Sequence, residues 1–171
     1  MRKVILGVAV SLDGYIEGPK GEFDWCFTDQ DYGMSEFFKR IDALFMGRKS
    51  FELAQSMGGE SPWKGITTYV FSNTLKTISV ADTRLVSGDT LEEVKKIKES
   101  PGKDIWLFGG AELTSSLMNA NLVDECWLSV HPILLGGGKP LFQSLKNRKN
   151  LVLLKVNQYA TGLVSLCYGT S

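Results

Sequence analysis

Residues 4–12 read VILGVAVSL, a nearly unbroken apolar run. A run of that length predicts a strand covered on both faces. Asp13-Gly14 breaks it, and Gly18-Pro19, Gly21 and Gly33 keep the next stretch irregular. Phe37, Phe38 and Ile41 give residues 34–41 one apolar side, which predicts a helix. Residues 43–46 read as a short buried strand, and 50–57 as a helix with Phe51, Ala54 and Met57 at spacings of three. Two further strands are expected at 67–71 and 83–86. Asp89-Thr90-Leu91-Glu92 has the form of a capping box, opening a helix that carries Leu91, Val94 and Ile97 on one side. Residues 105–108 form another buried-strand pattern, followed by Gly109-Gly110 and a helix around Leu113 and Leu117.

This alternation of strand and helix implies a largely parallel sheet with helices on its faces. The last third of the chain departs from it. Glu125, Trp127, Ser129 and His131 alternate with Cys126, Leu128 and Val130, the period of a half-buried strand. Residues 151–156 and 163–168, joined through NQYATG, predict a closing antiparallel hairpin. The fold class expected is α/β with a mixed sheet, in a single domain over residues 1–171.

Composition narrows the partners. The 171 residues carry 19 Lys+Arg and 19 Asp+Glu, so the chain has no general attraction to nucleic acid or to an acidic membrane. Any anion it binds is held by a local site. Cys26, Cys126 and Cys167 are few, odd in number and far apart, which fits a reducing cytoplasm better than a disulfide framework or a zinc site. The opening MRKVILGVAVSLDG imitates a secretory leader, but no small-residue cleavage site follows and the run suits a strand. No stretch approaches the roughly 20 apolar residues of a membrane span.

Open α/β sheets bind ligands at the carboxyl ends of their strands. Gly47-Arg48-Lys49-Ser50 lies at such a place, between a strand and a helix. A helix N-terminus offers unpaired N–H groups, glycine allows close approach, and the two cations add countercharge for a phosphate. The other reading has Ser50 capping the helix while Arg48 and Lys49 are solvated. Gly109-Gly110-Ala111-Glu112 is a second junction of this kind, and two such junctions in one sheet could grip one pyrophosphate.

Familiar alternatives fall away. The chain has no G-x-G-x-x-G, and GGGKP places proline where a phosphate-binding P-loop needs Ser or Thr. TDQDYG lacks the closing glutamate of a calcium loop, because the twelfth position from Asp29 is Arg40. His131 is the only histidine, which excludes a two-histidine metal site and suits a strand-edge role beside Pro132. No metal is expected.

Taken in order, AVSLDGYIEG (9–18), KGEFDW (20–25), FMGRKSFE (45–52), VFSN (70–73), IWLFGGAEL (105–113) and HPILLGGGKPLF (131–142) resemble the dihydrofolate reductase superfamily. The last segment is more similar to its riboflavin-biosynthesis reductase branch than to folate reductases. The resemblance implies a three-layer sandwich with helices on both faces of the sheet, and an NADPH-dependent reductase. It implies that Gly47, Arg48, Lys49 and Ser50 hold cofactor phosphates and that Ser72 and Asn73 lie near the 2′-phosphate ribose. Gly109, Gly110, Ala111 and Glu112 would line the pyrophosphate, with Val10 and Ile16 bordering the nicotinamide. Trp25, Met34, Phe38 and Ser129 would face a small pterin-, pyrimidine- or carbonyl-type substrate, and the 13–21 loop would close over the nicotinamide.

One position departs from the family. Folate reductases carry a carboxylate where this chain has Met34, and a thioether cannot deliver a proton. The proton would then come from water or from a loop aspartate, Asp24 or Asp31. Efficient reduction of dihydrofolate is not expected. A riboflavin-pathway diaminopyrimidine ribose-phosphate reductase and a non-catalytic NADPH-binding module are the alternatives. A homodimer is the default for a small α/β enzyme.

Overall fold

The computed structural model describes residues 1–58 and 63–170. Among these, one eight-stranded sheet runs in the order β5-β4-β3-β6-β1-β7-β10-β9. Its parallel part is β1 (Val4–Ser11), β3 (Ile41–Gly47), β4 (Thr67–Phe71), β5 (Thr83–Val86), β6 (Asp104–Gly109) and β7 (Glu125–His131). The expected hairpin closes one edge, with β10 (Val164–Thr170) antiparallel to both β7 and β9 (Leu151–Gln158). A two-stranded ribbon of β2 (Tyr15–Glu17) and β8 (Lys139–Pro140) stands apart from the sheet.

The apolar run of β1 is the central strand, flanked by β6 and β7, and Val4, Ile5 and Leu6 are fully buried. Its alternate side chains feed two cores, one on each face. Val4, Leu6 and Val10 join Val94 of α3 (Thr90–Glu99) and Leu113, Leu117 and Met118 of α4 (Ala111–Asn119). Ile5 joins Trp106, Trp127 and Phe37 of α1 (Met34–Arg40), with Phe51 of α2 (Arg48–Ser56) packed against them. The result is the three-layer α/β sandwich the sequence implied.

Element boundaries differ where the chain turns without a loop. The first helix ends at Arg40, and Ile41 already belongs to β3. β3 then passes through Gly47 straight into α2, so Ser50 is the third helical residue and caps nothing; Gly47 is the N-cap. Asp89 does cap α3, accepting the Leu91 and Glu92 N–H groups, but Glu92 turns to Lys95 and leaves the box half made.

The two ends of the parallel sheet have opposite character. The amino ends of the strands are ionic. Arg2 pairs with Asp42, and Lys98 lies 2.5 Å from Asp124. Arg40 bridges Asp104 at 2.7 Å and Glu125 at 3.0 Å, and Glu125 also takes Lys3 at 2.7 Å. The carboxyl ends hold glycines, hydroxyls and aromatic rings, which leaves that end free to receive a ligand.

Candidate active site

Two helix N-termini open beside each other at the carboxyl ends of β3 and β6. These strands are neighbours, with Met46 paired to Gly109. A Cβ placed on Gly47 would lie 3.7 Å from the Gly110 nitrogen, and one on Gly110 would lie 3.2 Å from Ser50 Oγ. The Gly109–Gly110 peptide is cis, and Gly109 has φ 125°, a conformation that excludes most side chains. Gly47, Ser50, Gly110 and the first turn of α4 therefore form one shallow cradle floored by backbone, with the unpaired N–H groups of α2 and α4 at its rim. Such an arrangement is able to receive an anion, since neither glycine puts a side chain between a ligand and the N–H groups.

The cations are arranged unequally. Arg48 is turned onto Glu52, one helical turn along, with both oxygens at 2.9 Å. Lys49 is exposed and pairs with no carboxylate among the described residues. Glu112 puts a negative charge in the first turn of α4, so backbone N–H rather than side-chain charge must favour an anion on that side.

Ser72 and Asn73 sit at the end of β4, one strand farther out. Ser72 Oγ accepts the Thr74 and Leu75 N–H groups. Asn73 Oδ1 accepts the Gly88 N–H at 2.7 Å and ties this turn to the one after β5. Both side chains hold the turns at the carboxyl ends of β4 and β5 together. Val10 is buried in the core on the α3–α4 side, and the half-buried Ile16 packs against that core.

The other side of the sheet carries an aromatic hollow. Trp127, Ser129 and His131 alternate along β7 and share the face of α1. Phe37 meets Trp106 and Trp127 edge-on at 5.5 and 5.1 Å, and Phe38 meets Trp106 at 5.8 Å. Trp63 and Phe108 extend the wall, 5.3 Å apart. Met34 packs against this cluster as an apolar group. The sequence reading named Met34, Phe38 and Ser129 but missed Trp63, Trp106 and Phe108. The spacing of Trp106 and Phe108 on alternate positions of β6 was the available signal.

His131 is not an edge residue. It is 2% exposed, and its Nε2 accepts the Phe27 N–H at 3.1 Å while Nδ1 faces the Ser129 carbonyl at 2.9 Å. Those partners place the proton on Nδ1. Burial holds its pKa below the ordinary 6.5, so the ring is neutral at pH 7. Trp25 stands edge-on to it at 5.2 Å and Phe27 at 5.0 Å. The lone histidine thus anchors the loop that carries Trp25.

The aspartates divide into separate roles. Asp31 accepts the Ser35 hydroxyl at 2.7 Å, the Ser35 N–H at 2.9 Å and the Gly33 N–H at 3.1 Å. The Ser35 hydroxyl and these N–H groups hold it below the usual carboxylate range, which makes it a helix-capping anion and a poor proton donor near pH 7. Asp29 accepts the Tyr32 hydroxyl at 2.7 Å. Asp24 is exposed, close enough to Cys26 to add to the burial that pushes that thiol up to about 11.

The 13–21 segment is tied down more firmly than a free closing loop. Asp13 accepts the Leu135 and Gly136 N–H groups at 3.1 and 2.8 Å and the Ser11 hydroxyl at 2.6 Å. Lys139 reaches both oxygens of Glu17, at 2.8 and 2.9 Å. The β2–β8 ribbon passes so close that a Cβ on Gly138 would lie 2.0 Å from the Glu17 carbonyl oxygen, which is why position 138 is glycine. Asp13→Ala is expected to release this clasp while leaving the sheet intact. Amide exchange at Leu135 and Gly136 should accelerate about tenfold or more in that variant with β1 amides unchanged; unchanged exchange at both would refute the clasp.

With the geometry in place, the likeness to known proteins is informative. Residues 2–165 match the family model described as the RibD C-terminal domain. The chain is 44% identical over 178 residues to YyaP, an uncharacterised protein of Bacillus subtilis (strain 168), covering 98% of this chain and 94% of that protein. A candidate riboflavin biosynthesis protein from Shewanella sp. PV-4 shares the fold with a TM-score of 0.88 at 26% identity, over 100% of this chain and 99% of the other. A diaminohydroxyphosphoribosylaminopyrimidine deaminase/5-amino-6-(5-phosphoribosylamino)uracil reductase of Thermotoga maritima matches with a TM-score of 0.76 over 99% of this chain and 57% of its own. At 13% identity that last likeness is one of fold alone.

Proposed function

The chain belongs to the RibD C-terminal domain family, and on that premise we propose that it is a reductase that transfers hydride from NADPH to a C=N or C=O group of a small, flat substrate. The observation that carries this reading is the glycine-floored cradle where α2 and α4 begin side by side. The residues fit the cofactor, since the absence of a Cβ at Gly47 and Gly110 would let a pyrophosphate approach backbone N–H groups there. Lys49 supplies the free countercharge, and Arg48 adds a second cation on release from Glu52. Bound NADPH supplies the hydride.

The remaining work falls to the chain's own groups. The aromatic hollow of Phe38, Trp106 and Phe108 orients a planar ring and keeps water from it, Trp25 borders it from the loop that His131 anchors, and Ser129 offers a hydroxyl to the ring's edge. The 13–18 clasp covers the end of β1. With Met34 in place of an acid and Asp31 committed to the Ser35 and Gly33 groups at the start of α1, the proton comes from water or from the exposed Asp24. Lys139 is held by both oxygens of Glu17, so it is not free for a substrate ribose phosphate, and a substrate lacking that group suits the site better.

Among the described residues the three cysteines are free thiols and no helix is long and apolar enough to cross a membrane. Both fit the proposed setting, a small-molecule enzyme of the cytoplasm.

Titration with NADPH is expected to change tryptophan fluorescence with a dissociation constant below about 1 mM. Lys49→Ala should weaken that binding about fivefold without altering the melting temperature, the loss of one exposed charge contact. Turnover on a panel of pterins, aminopyrimidines and simple carbonyls completes the test. Absence of any NADPH response removes the cofactor reading. Tight binding with no oxidation of NADPH across the panel would instead make the chain a nucleotide-binding module.

A further inference from the structure

At the amino ends of the strands, the chain forms a hollow of about 560 Å³ between β3, β4, β5 and the last turn of α3. Sites for small organic molecules run from about 300 to about 1,000 Å³, so the space is sufficient for one. Ala43 of β3 lines it, whereas Gly47 of the same strand belongs to the cradle, and about 13 Å of extended chain separates the two. The hollow is therefore distinct from the proposed nucleotide site.

Its polar lining consists almost wholly of donors. Arg84 has no carboxylate partner among the described residues, and its guanidinium stands 5.8 Å from the centroid of the Tyr69 ring. The hydroxyls of Thr67 and Tyr69, two positions apart on one face of β4, hold no hydrogen bond among the described residues. Arg2 is set deeper, its side chain 6% exposed. Its Nε donates to the Lys103 carbonyl at 2.5 Å, Nη1 to Ser100 Oγ at 3.4 Å and Nη2 to Asp42, which leaves one N–H on each Nη unspent. Lys96 pairs with Glu93 at 2.6 Å, an exposed contact that a stronger anion can displace. The C-terminal end of α3 would oppose an anion, but its carbonyls are already taken. Ser100 N–H donates to those of Lys96 and Ile97, and Arg2 N–H to that of Lys98 at 2.9 Å.

We infer that this hollow is a second ligand site, which binds the phosphate group of a small organic phosphate. Charge selects the ligand. Three cations line the hollow against one carboxylate, Asp42, whose oxygens are committed to Arg2 and to the Lys103 N–H at 2.9 Å. A cation finds no open acceptor there, and a neutral molecule leaves the Arg84 charge unmatched. A phosphate offers several acceptor oxygens to the guanidinium fork of Arg84, to the Lys96 ammonium and to the two β4 hydroxyls. The spare N–H groups of Arg2 meet it from a side chain already fixed in place, so little freedom is lost on binding. The hollow exceeds what a bare phosphate ion fills, and the remaining space takes the organic part.

Amide shifts in the NMR spectrum of the full chain are the test, on titration with glucose 6-phosphate, inorganic phosphate and glucose to about 20 mM each at constant ionic strength. Glucose 6-phosphate is expected to move the amides of Tyr69, Arg84 and Ser100, with a dissociation constant below about 5 mM and at least about threefold under that of inorganic phosphate. Glucose should leave all three in place. Arg84→Glu, at an exposed position, should weaken the binding at least about tenfold with circular dichroism unchanged. Should that variant fail to fold, Lys96→Glu, also exposed, takes its place with the same expectation. The inference is overturned by shifts confined to Gly47, Gly110 and their neighbours, by no shift at Tyr69, Arg84 and Ser100, or by undiminished binding in a folded variant. Equal affinity for inorganic phosphate, an adventitious ion only, would overturn it as well.

Discussion

Glu125→Ala is expected to lower stability by about 3 kcal/mol, a fall in melting temperature on the order of 6–12 °C for a chain of this size. Glu125 is 4% exposed and lies at the start of β7. It receives Arg40 at 3.0 Å and Lys3 at 2.7 Å, and the Cys167 thiol lies 3.9 Å away. Removing the carboxylate strands a partly buried guanidinium, which keeps only Asp104 as a partner. Arg40 is the last residue of α1, the helix that presents Met34 and Phe38 to the aromatic hollow, so the cost extends to the site. Calorimetry of the two proteins at pH 7 checks the magnitude, and a change under about 1 kcal/mol would place the ion pairs among those of no net value.

The same residue shapes the acid limb of stability. Burial alone would raise its pKa, but the hydrogen bonds from Arg40 and Lys3 outweigh that and hold it below the ordinary 4.5. A depressed carboxylate contributes stability in full above its unfolded value and loses it as pH falls through the folded one. Its contribution is therefore complete above pH 4.5 and disappears below, and the alanine variant should show a shallower acid slope there. His131 acts in the same direction but sooner. Its folded pKa lies below 6.5, so its contribution declines from that pH downward as protonation breaks the bond from the Phe27 N–H.

Gly110→Val should abolish nucleotide binding while sparing the fold. Gly110 has φ −73°, a region open to every L-residue, and it caps α4 with no side-chain bond to lose. Its Cβ would nonetheless stand 3.2 Å from Ser50 Oγ, in the middle of the cradle. A loss of affinity for NADPH of at least about 100-fold, some 2.7 kcal/mol, is expected with circular dichroism unchanged. Fluorescence titration decides it, and wild-type affinity in a folded variant would move the phosphate site elsewhere.

Both junctions in that cradle were legible in the sequence because strand, glycine and helix follow one another within a few residues. The Arg48–Glu52 pair was equally local, at one helical turn, and could have been read from spacing. Distant pairings could not. The clasp joins Asp13 to Gly136 and Glu17 to Lys139, and only the folded topology brings residues that far apart in sequence to one place. His131 suffered from the same gap, since its burial depends on Trp25 and Phe27 arriving from another loop. The hairpin of β9 and β10 was legible, but the exposure of LVLL was not, because the sheet outruns the helices that would bury it.

The place of β1 has a consequence for the order in which the protein is made. Its sheet partners are β6 and β7, so Val4 awaits Ile105 and Ser11 awaits His131. β1 precedes both of its sheet neighbours in the chain, and VILGVAV stays without a sheet partner until residues 104–109 follow it. Pairing so remote slows folding and prolongs the exposure of that run. The strand that best secures the finished molecule is thus also one whose apolar run is uncovered while the sheet forms.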